Sequence, residues 1–394
     1  MRILFLLPSV PLPADAGAKL RNLALLRLAG ADHEVDAIAF GEGDGLGQFV
    51  RRAATVAPPA PRPALQRVLH ALRSPLPDIA LRLWSPRFAV ELSAALERER
   101  YDLVQAEGIE MGRYLLTVPS DRRVYDAHNP EALLQRRAWH AAARRRDLAS
   151  AAYSWLQWRR LTRFEAGLIA SCRRILAVSH HDANQLEALA PTTSDRIRVV
   201  PSALDVTAFP FCQPSADQAD NLLFLGRLDY RPNAEGVKWL IDLVLPRLFE
   251  RKPKARLFVV GPRPPGWLVA AGQRDDRIAV TGHVIDERPY LKRAAALLLP
   301  LEVAAGSRLK ALVALASGVP IVSTPLGMEG LEAVPGEHYE HAVNLCPQAW
   351  ANVLARLLDD PVRRSRLALN GRQLVEACYD WSAVAPALRA AYAL

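Results

Sequence analysis

The sequence has little that could staple, anchor or metallate it. Its 394 residues include four cysteines, at 172, 212, 346 and 378, and their separations match neither a metal-ligand pattern nor a disulfide framework. They read as reduced, mostly buried thiols, which fits a cytoplasmic protein. No apolar run approaches the roughly 18–20 residues that cross a bilayer. The first residues, MRILFLLPSVPLPADAGA, imitate a secretory leader, but prolines interrupt the apolar run, and RILFLLP reads as a buried first strand. There is no Walker pattern and no G-x-G-x-x-G after that strand, which weakens the nucleoside-triphosphate and dinucleotide readings. Low-complexity tails and close internal repeats are also missing.

What is present suits a globular protein. Apolar residues make up 51% of the chain and charged ones 23%, enough to form large cores and too apolar for disorder. The length suggests about two domains. A formal net charge of +9 opens three classes of partner: nucleic acid, an anionic membrane surface, or small anionic substrates. The excess is arginine, and it is clustered.

Short apolar runs alternate with helical patterns. ILFLLP, HEVDAIAF (33–40), YDLVQAEG (101–108), RRVYDAH (122–128) and CRRILAVS (172–179) read as strands, with AGAKLRNLALLRLAG (16–30) as a helix between the first two. Such alternation predicts a parallel sheet covered on both faces. Ligands then lie at the carboxyl ends of the strands, which places Glu107, Asp126, His128 and Ser179 on the rim. Residues 199–216, rich in Pro and Ala, read as a connection. The pattern restarts with NLLFLGRL (221–228), a helix over 233–250, and strands at 255–261, 278–282, 296–301 and 320–324. This predicts a second α/β unit of similar size, with the ligand in a cleft between the two.

One stretch poses a question. In GSRLKALVALASGVPIVSTPLGMEGL (306–331), Arg308 and Lys310 stand in the first turn of a helix, where the macrodipole is already positive. An anion at that turn would offset the cost. Gly226 and Arg227 follow a strand end; glycine permits close approach, and arginine matches phosphate with a fixed fork of donors. With the helix start at Gly306-Ser307 they could cradle a diphosphate, or Gly226 could simply end a strand beneath solvated cations. Gly17, ahead of Lys19 and Arg21, is a second close-approach point or a plain turn. His128 could polarise a ligand or cap a turn. His180-His181 opens a helix and reads as structural. The block 133–167 carries Trp139, Trp155, Trp158 and many arginines. It could lie on an anionic membrane or be a core helix with a solvated face; the absence of a zinc module or stacking platform argues against nucleic acid.

Together, GSRLKALVALASGVPIVSTPLGMEGL and FLGRLDYRPNAEGVKWLIDLVLPRL resemble the GT-B glycosyltransferases of the group 1, family four type, most closely the bacterial sugar transferases of polysaccharide and secondary-metabolite clusters. The likeness covers nearly the whole chain. PLPADAGAKLRN is similar to the family's N-terminal glycine loop, VYDAHNPEALLQRR to its histidine segment, VVPSALDVTAF to its hinge, GHVIDERPYLKRAAALLLPL to its base loop, and YDWSAVAPAL (379–388) to its terminal helix. The resemblance implies an α/β fold of two Rossmann-like domains facing across a cleft: 1–200 for the acceptor, 201–375 for the nucleotide sugar, and 376–394 returning to the first domain. It implies retaining transfer from a nucleotide diphosphate sugar to a hydroxyl acceptor, a lipid-linked sugar or a small molecule, with neither metal nor cofactor. His128, Arg227 and Lys310 would act on the donor. Gly17, Gly226, Val284, Gly306, Ser307, Arg308, Leu309 and Val313 would bind it, and Lys19, Arg21 and Glu107 would face the acceptor.

The departures are chemical. Where the family places a glutamate for the donor ribose, this chain has Val313, and Ala305 replaces another glutamate eight residues earlier. Asn233 stands near a missing second phosphate-binding lysine, and the hinge reads Ser202-Ala203. Two other classes therefore stay open: a sugar-nucleotide epimerase of the same arrangement, and a non-catalytic partner of another transferase. The expected location is cytoplasmic, peripheral on the inner membrane.

Overall fold

The computed structural model describes all residues except 15–16, 44, 64–65, 68–69, 71–72, 214–219, 302–307, 343–345 and 394. The chain forms two compact units: Met1–Ala203 with the C-terminal segment from Val384 onward, and Leu204–Ala304 with Arg308–Ala383.

The first unit is built on seven parallel strands: β1 (Arg2–Leu7), β2 (Glu34–Phe40), β3 (Arg52–Val56), β4 (Leu103–Glu107), β5 (Arg123–Ala127), β6 (Arg174–Ala177) and β7 (Ile197–Val199), in the order β3-β2-β1-β4-β5-β6-β7. Strands β1, β2, β4, β5 and β6 are buried almost end to end, as sheets covered on both faces require. The chain runs outward from β1 to β3 and returns to β4 on β1's other side, so the switch point lies between β1 and β4. The helix Gly17–Asp32, which follows β1, starts there. Phe40, Phe88 and Tyr114 cluster in the core, the Phe88 and Tyr114 rings 4.5 Å apart.

The second unit has six parallel strands: β8 (Asn221–Leu225), β9 (Arg256–Val260), β10 (Ile278–Gly282), β11 (Ala296–Leu299), β12 (Ile321–Ser323) and β13 (Glu340–His341), ordered β10-β9-β8-β11-β12-β13. Its switch point lies between β8 and β11. The helix Leu309–Ala316, after β11, is buried at every residue but Lys310. It stops at Gly318: the Val319 N–H donates to Ala314 O and the Gly318 N–H to Leu315 O, the paired bonds of a Schellman end.

The helix expected over 233–250 runs without a gap from Arg231 to Arg251, as Arg231–Trp239, a π turn over Leu240–Val244 and Leu245–Arg251. Pro246 lies just past the π turn, which absorbs its missing N–H and its crowding of the preceding turn. One expectation needs correction. Only Cys172 among the cysteines is buried; Cys346 is exposed and the other two half-buried. Cys346 precedes Pro347 at the start of a surface helix, where no core closes over it.

Candidate functional site

In the first unit, adjacent strand ends bring three side chains together. Glu107 ends β4, Asp126 is the fourth residue of β5, and His128 follows that strand. His128 Nε2 lies 3.1 Å from Glu107 Oε2 and 3.2 Å from Asp126 Oδ2. Arg21, one turn into the helix after β1, grips Asp126 with both arms, Nε to Oδ2 at 2.8 Å and Nη2 to Oδ1 at 2.6 Å, and donates from Nη1 to Val200 O at 2.9 Å. Asn22, with its amide nitrogen turned inward, donates to Glu107 Oε2 and Ala18 O, both at 2.9 Å. On the far side Gln105 Nε2 donates to Glu107 Oε1 at 2.6 Å.

These contacts set the protons. Burial alone would lower the His128 imidazole, but hydrogen bonds to Asp126 and Glu107 outweigh it and hold it up at about 10. Burial, with the charge of Asp126 added, pushes the Glu107 carboxyl up to about 7 against the pull of His128. Asp126 also suffers burial, yet Arg21 holds it below the usual carboxylate range. At neutral pH His128 is therefore an imidazolium with Nε2 pinned to carboxylates. Its Nδ1 is turned toward Gly108, where φ is +81° and a Cβ would come within 3.5 Å of that nitrogen. Glycine keeps that space open.

Among the described residues, Glu107, Asp126 and His128 offer three atoms within 4.8 Å of one another that could ligate a metal. The donor set fits a guanidinium better. Arg21 already occupies both oxygens of Asp126, and a cation beside it would face the charges of both Arg21 and His128.

The structure also moves two expected acceptor contacts inward. Arg21 is 1% exposed with its donors engaged, and Glu107 is 0% exposed. Both therefore hold His128 and Asp126 from beneath and do not face an acceptor. Lys19 is half-buried and donates to Pro13 O at 3.3 Å. Gly17 is exposed at the helix start.

In the second unit, the close approach centres on Gly226, just past β8. A Cβ there would lie 2.0 Å from Lys310 Nζ and 2.8 Å from Asn233 Nδ2, so the ammonium occupies the space a side chain would fill. Burial lowers that ammonium to about 8, with Glu287 offsetting part of the shift. Asn233 Nδ2 donates to Arg227 O at 2.8 Å. The exposed Arg227 side chain forks onto Asp229, Nε to Oδ1 at 3.1 Å and Nη2 to Oδ2 at 2.9 Å, and Arg263 shares that carboxylate at 3.0 Å. Gly226, Arg227 and Lys310 thus meet at the switch point, where an open α/β sheet binds ligands.

The other expected donor contacts are placed less favourably. Arg308 is buried, and its Nε and Nη2 donate to Leu326 O at 3.2 and 3.1 Å, with Glu329 3.9 Å away. It closes the short helix Pro325–Met328 and does not present its fork to a phosphate. Leu309 and Val313 are core residues, 3% and 6% exposed. Val284 is half-buried in the loop after β10. Gly306 and Ser307, with Glu302 and Ala305, lie outside the described residues. Sequence reasoning missed Asn22 and Gln105. The period-2 spacing of Gln105 and Glu107 on β4, which puts both on one face, was the signal available.

Comparison with known proteins follows the same division. Residues 23–208 match the model for Glycosyltransferase Family 4, and residues 219–360 match that for Glycosyl transferases group 1. Glycogen synthase of Mycobacterium tuberculosis is 30% identical over 207 residues, 50% of this chain and 48% of its own. The MMP alpha-(1->4)-mannosyltransferase of Mycolicibacterium hassiacum is 29% identical over 273 residues, 64% of this chain and 63% of its own. The match thus spans about half to two thirds of these curated relatives. Among solved structures, sucrose-phosphate synthase of Thermosynechococcus elongatus superposes with a TM-score of 0.75 at 18% identity, covering 100% of this chain and 98% of its own. Anabaena HepE in complex with UDP gives 0.69 at 16% identity, covering 99% of each. These likenesses show the fold.

Proposed function

Because the chain belongs to the GT-B glycosyltransferases of the group 1, family 4 type, we propose that it moves a hexosyl group from a nucleotide diphosphate sugar to a hydroxyl acceptor, retaining anomeric configuration and using no metal. The observation that carries this reading is the Lys310 ammonium seated against Gly226 at the switch point of the second sheet. A cation there, beside the exposed fork of Arg227, suits a diphosphate. Charge developing on the leaving diphosphate would be neutralised by groups already in place, which is the stabilisation the reaction needs. The acceptor hydroxyl gives its proton to the leaving phosphate, so no protein nucleophile is required. His128 takes the part the resemblance gives it, a hydrogen-bonding contact to the donor sugar, made through Nδ1.

UDP is the first nucleotide to test, since HepE is known in complex with UDP and with UDP-glucose. Thermal shift against UDP, GDP, dTDP and their sugars is expected to single out one base. Arg227→Ala should then weaken that nucleotide by roughly 1.5–3 kcal/mol, the range for hydrogen bonds to charged groups. Absence of stabilisation by any nucleotide would overturn the reading.

We also infer that the protein is cytoplasmic and peripheral on an anionic membrane surface, which it meets through the helices Glu131–Arg144 and Leu148–Ser171. Trp139 and Trp158 stack with centroids 5.2 Å apart, and Trp158 packs on the core. Leu148, Tyr153 and Trp155 stay exposed among Arg144, Arg146, Arg159 and Arg163. Among the described residues no helix is long and apolar enough to cross a membrane. Flotation with phosphatidylglycerol vesicles should occur at low salt and vanish as salt screens the arginines; no flotation at low salt would refute it.

A further inference from the structure

A hydrogen-bonded chain runs from the last helix to the strand-end histidine. Gln105 and Glu107 lie two residues apart on β4, so both point to the same face of the sheet. Tyr392, in the helix Trp381–Tyr392, places its hydroxyl 2.7 Å from Gln105 Oε1. Gln105 Nε2 lies 2.6 Å from Glu107 Oε1, and Glu107 Oε2 lies 3.1 Å from His128 Nε2. Tyr392, Gln105 and Glu107 are all buried.

The direction of this chain follows from what each group can do. An ionised carboxylate only accepts, so Gln105 must turn its NH2 toward Glu107. Its carbonyl oxygen then faces the tyrosine, and the Tyr392 hydroxyl must donate. The carboxylate therefore sets which way the amide points, and the phenol holds it there by pairing the oxygen that is left. The same helix is seated by an ion pair from Arg389 Nε to Asp32 Oδ2 at 2.6 Å and by Tyr392 lying 5.8 Å from the His33 ring.

We propose that Tyr392, acting through Gln105, is a positioning residue for the Glu107–His128 pair, so that the Tyr392 hydroxyl, carried by the C-terminal helix, sets the proton held between carboxylate and imidazole. The link to sugar transfer rests on the function proposed above; the link to His128 does not. Without the hydroxyl, Gln105 Oε1 loses its donor and the amide is free to turn. Two acceptors would then face each other, and Glu107 would relieve the conflict by taking a proton. His128 would lose one charged partner and release its own proton more readily. Around this pair stand Arg21 from the first helix, Asp126 from β5, Glu131 from the following helix, and the neutral phenol of Tyr392, with Glu110 on the Gly108 side. None of the four charged or titratable groups other than the phenol is altered by removing it.

The test uses the full-length protein with carbon-13-labelled histidine. The signal of His128 is identified by its disappearance in His128→Gln and followed as a function of pH. Tyr392→Phe should lower the His128 midpoint by about one pH unit, the effect of removing one charged neighbour. Gln105→Met, which breaks the chain from its other end, should do the same if Tyr392→Phe folds poorly. Leu388→Ala removes packing of the same helix, where Leu388 is 2% exposed, but spares the hydroxyl. It should lower the melting temperature and leave the His128 midpoint in place. An unchanged midpoint in both Tyr392→Phe and Gln105→Met would overturn the proposal. So would an equal shift in Leu388→Ala, because helix seating alone would then explain it. If wild-type protein transfers no sugar from any nucleotide donor yet the midpoint shifts, the positioning role stands and the transferase reading falls.

Discussion

Replacing Arg21 by methionine tests the architecture of the strand-end cluster. The guanidinium is 1% exposed and its partner carboxylate 0%, so neither can turn to water. The substitution removes two bonds to Asp126 and one to Val200 O. Breaking a buried pair from one side costs about 3–5 kcal/mol, because the remaining charge is stranded. Removing both partners, in Arg21→Met with Asp126→Leu, leaves no stranded charge and should recover at least about 2 kcal/mol of that loss. The pH dependence also has a sign. In the wild type Asp126 is held below its ordinary value, so its contribution is present above about pH 4 and is lost as pH falls. In Arg21→Met, Asp126 and Glu107 become neighbouring carboxyls with only the His128 imidazolium between them, and the proton they then bind is removed as pH rises, so the loss should be larger at pH 8 than at pH 5. Hydrogen exchange of β4 and β5 amides reads the first unit separately from the second. A single-variant cost below about 1 kcal/mol, or a double variant no better than the single, would refute the argument from stranded charge.

Gly226→Ala should displace the Lys310 ammonium and lower the melting temperature, since the added methyl meets the side chains of Lys310 and Asn233 and φ there is +155°; calorimetry with UDP on the folded variant should show about tenfold weaker binding, or 1.4 kcal/mol. UDP affinity in the wild type should fall as pH rises through about 8, where Lys310 loses its proton, and Lys310→Met should flatten that dependence in the same titration. Val313→Glu should lower the melting temperature without improving nucleotide binding, because the position is 6% exposed and an unpaired buried carboxyl is expensive; tighter UDP binding in that variant would mean that Val313 does face the ribose.

The parts of the fold legible in the sequence were those whose signal is local. Runs such as ILFLLP and ALLLPL are too short for helices and are bounded by proline, which marks them as buried strands. β3 escaped notice because Arg52–Val56 is largely exposed and lacks such a run, and β13 because two residues carry no period. In the site, Glu107, Asp126 and His128 were legible as a rim because strand ends are local features. Their partners were not: Arg21 meets Asp126 across 105 positions, and Tyr392 meets Gln105 across 287. The cationic turn at Arg308 and Lys310 was legible as a cluster of charge but not as two roles. Only three-dimensional packing turns one cation into a helix brace and places the other against Gly226.

The division of the chain into units has a consequence for synthesis. The first unit draws on both Met1–Ala203 and the segment from Val384 onward, whereas the second is continuous from Leu204 to Ala383 apart from residues 305–307. On the ribosome, domains generally fold as units as they emerge. Here the second unit can emerge almost whole before the first receives the helix that carries Tyr392 and Arg389. The first sheet must wait, with Gln105 and Asp32 unmet, until the helix that carries Tyr392 and Arg389 has left the ribosome. A chain cut short before the final helix would therefore keep a nearly continuous second unit while the histidine site of the first lacked its last support.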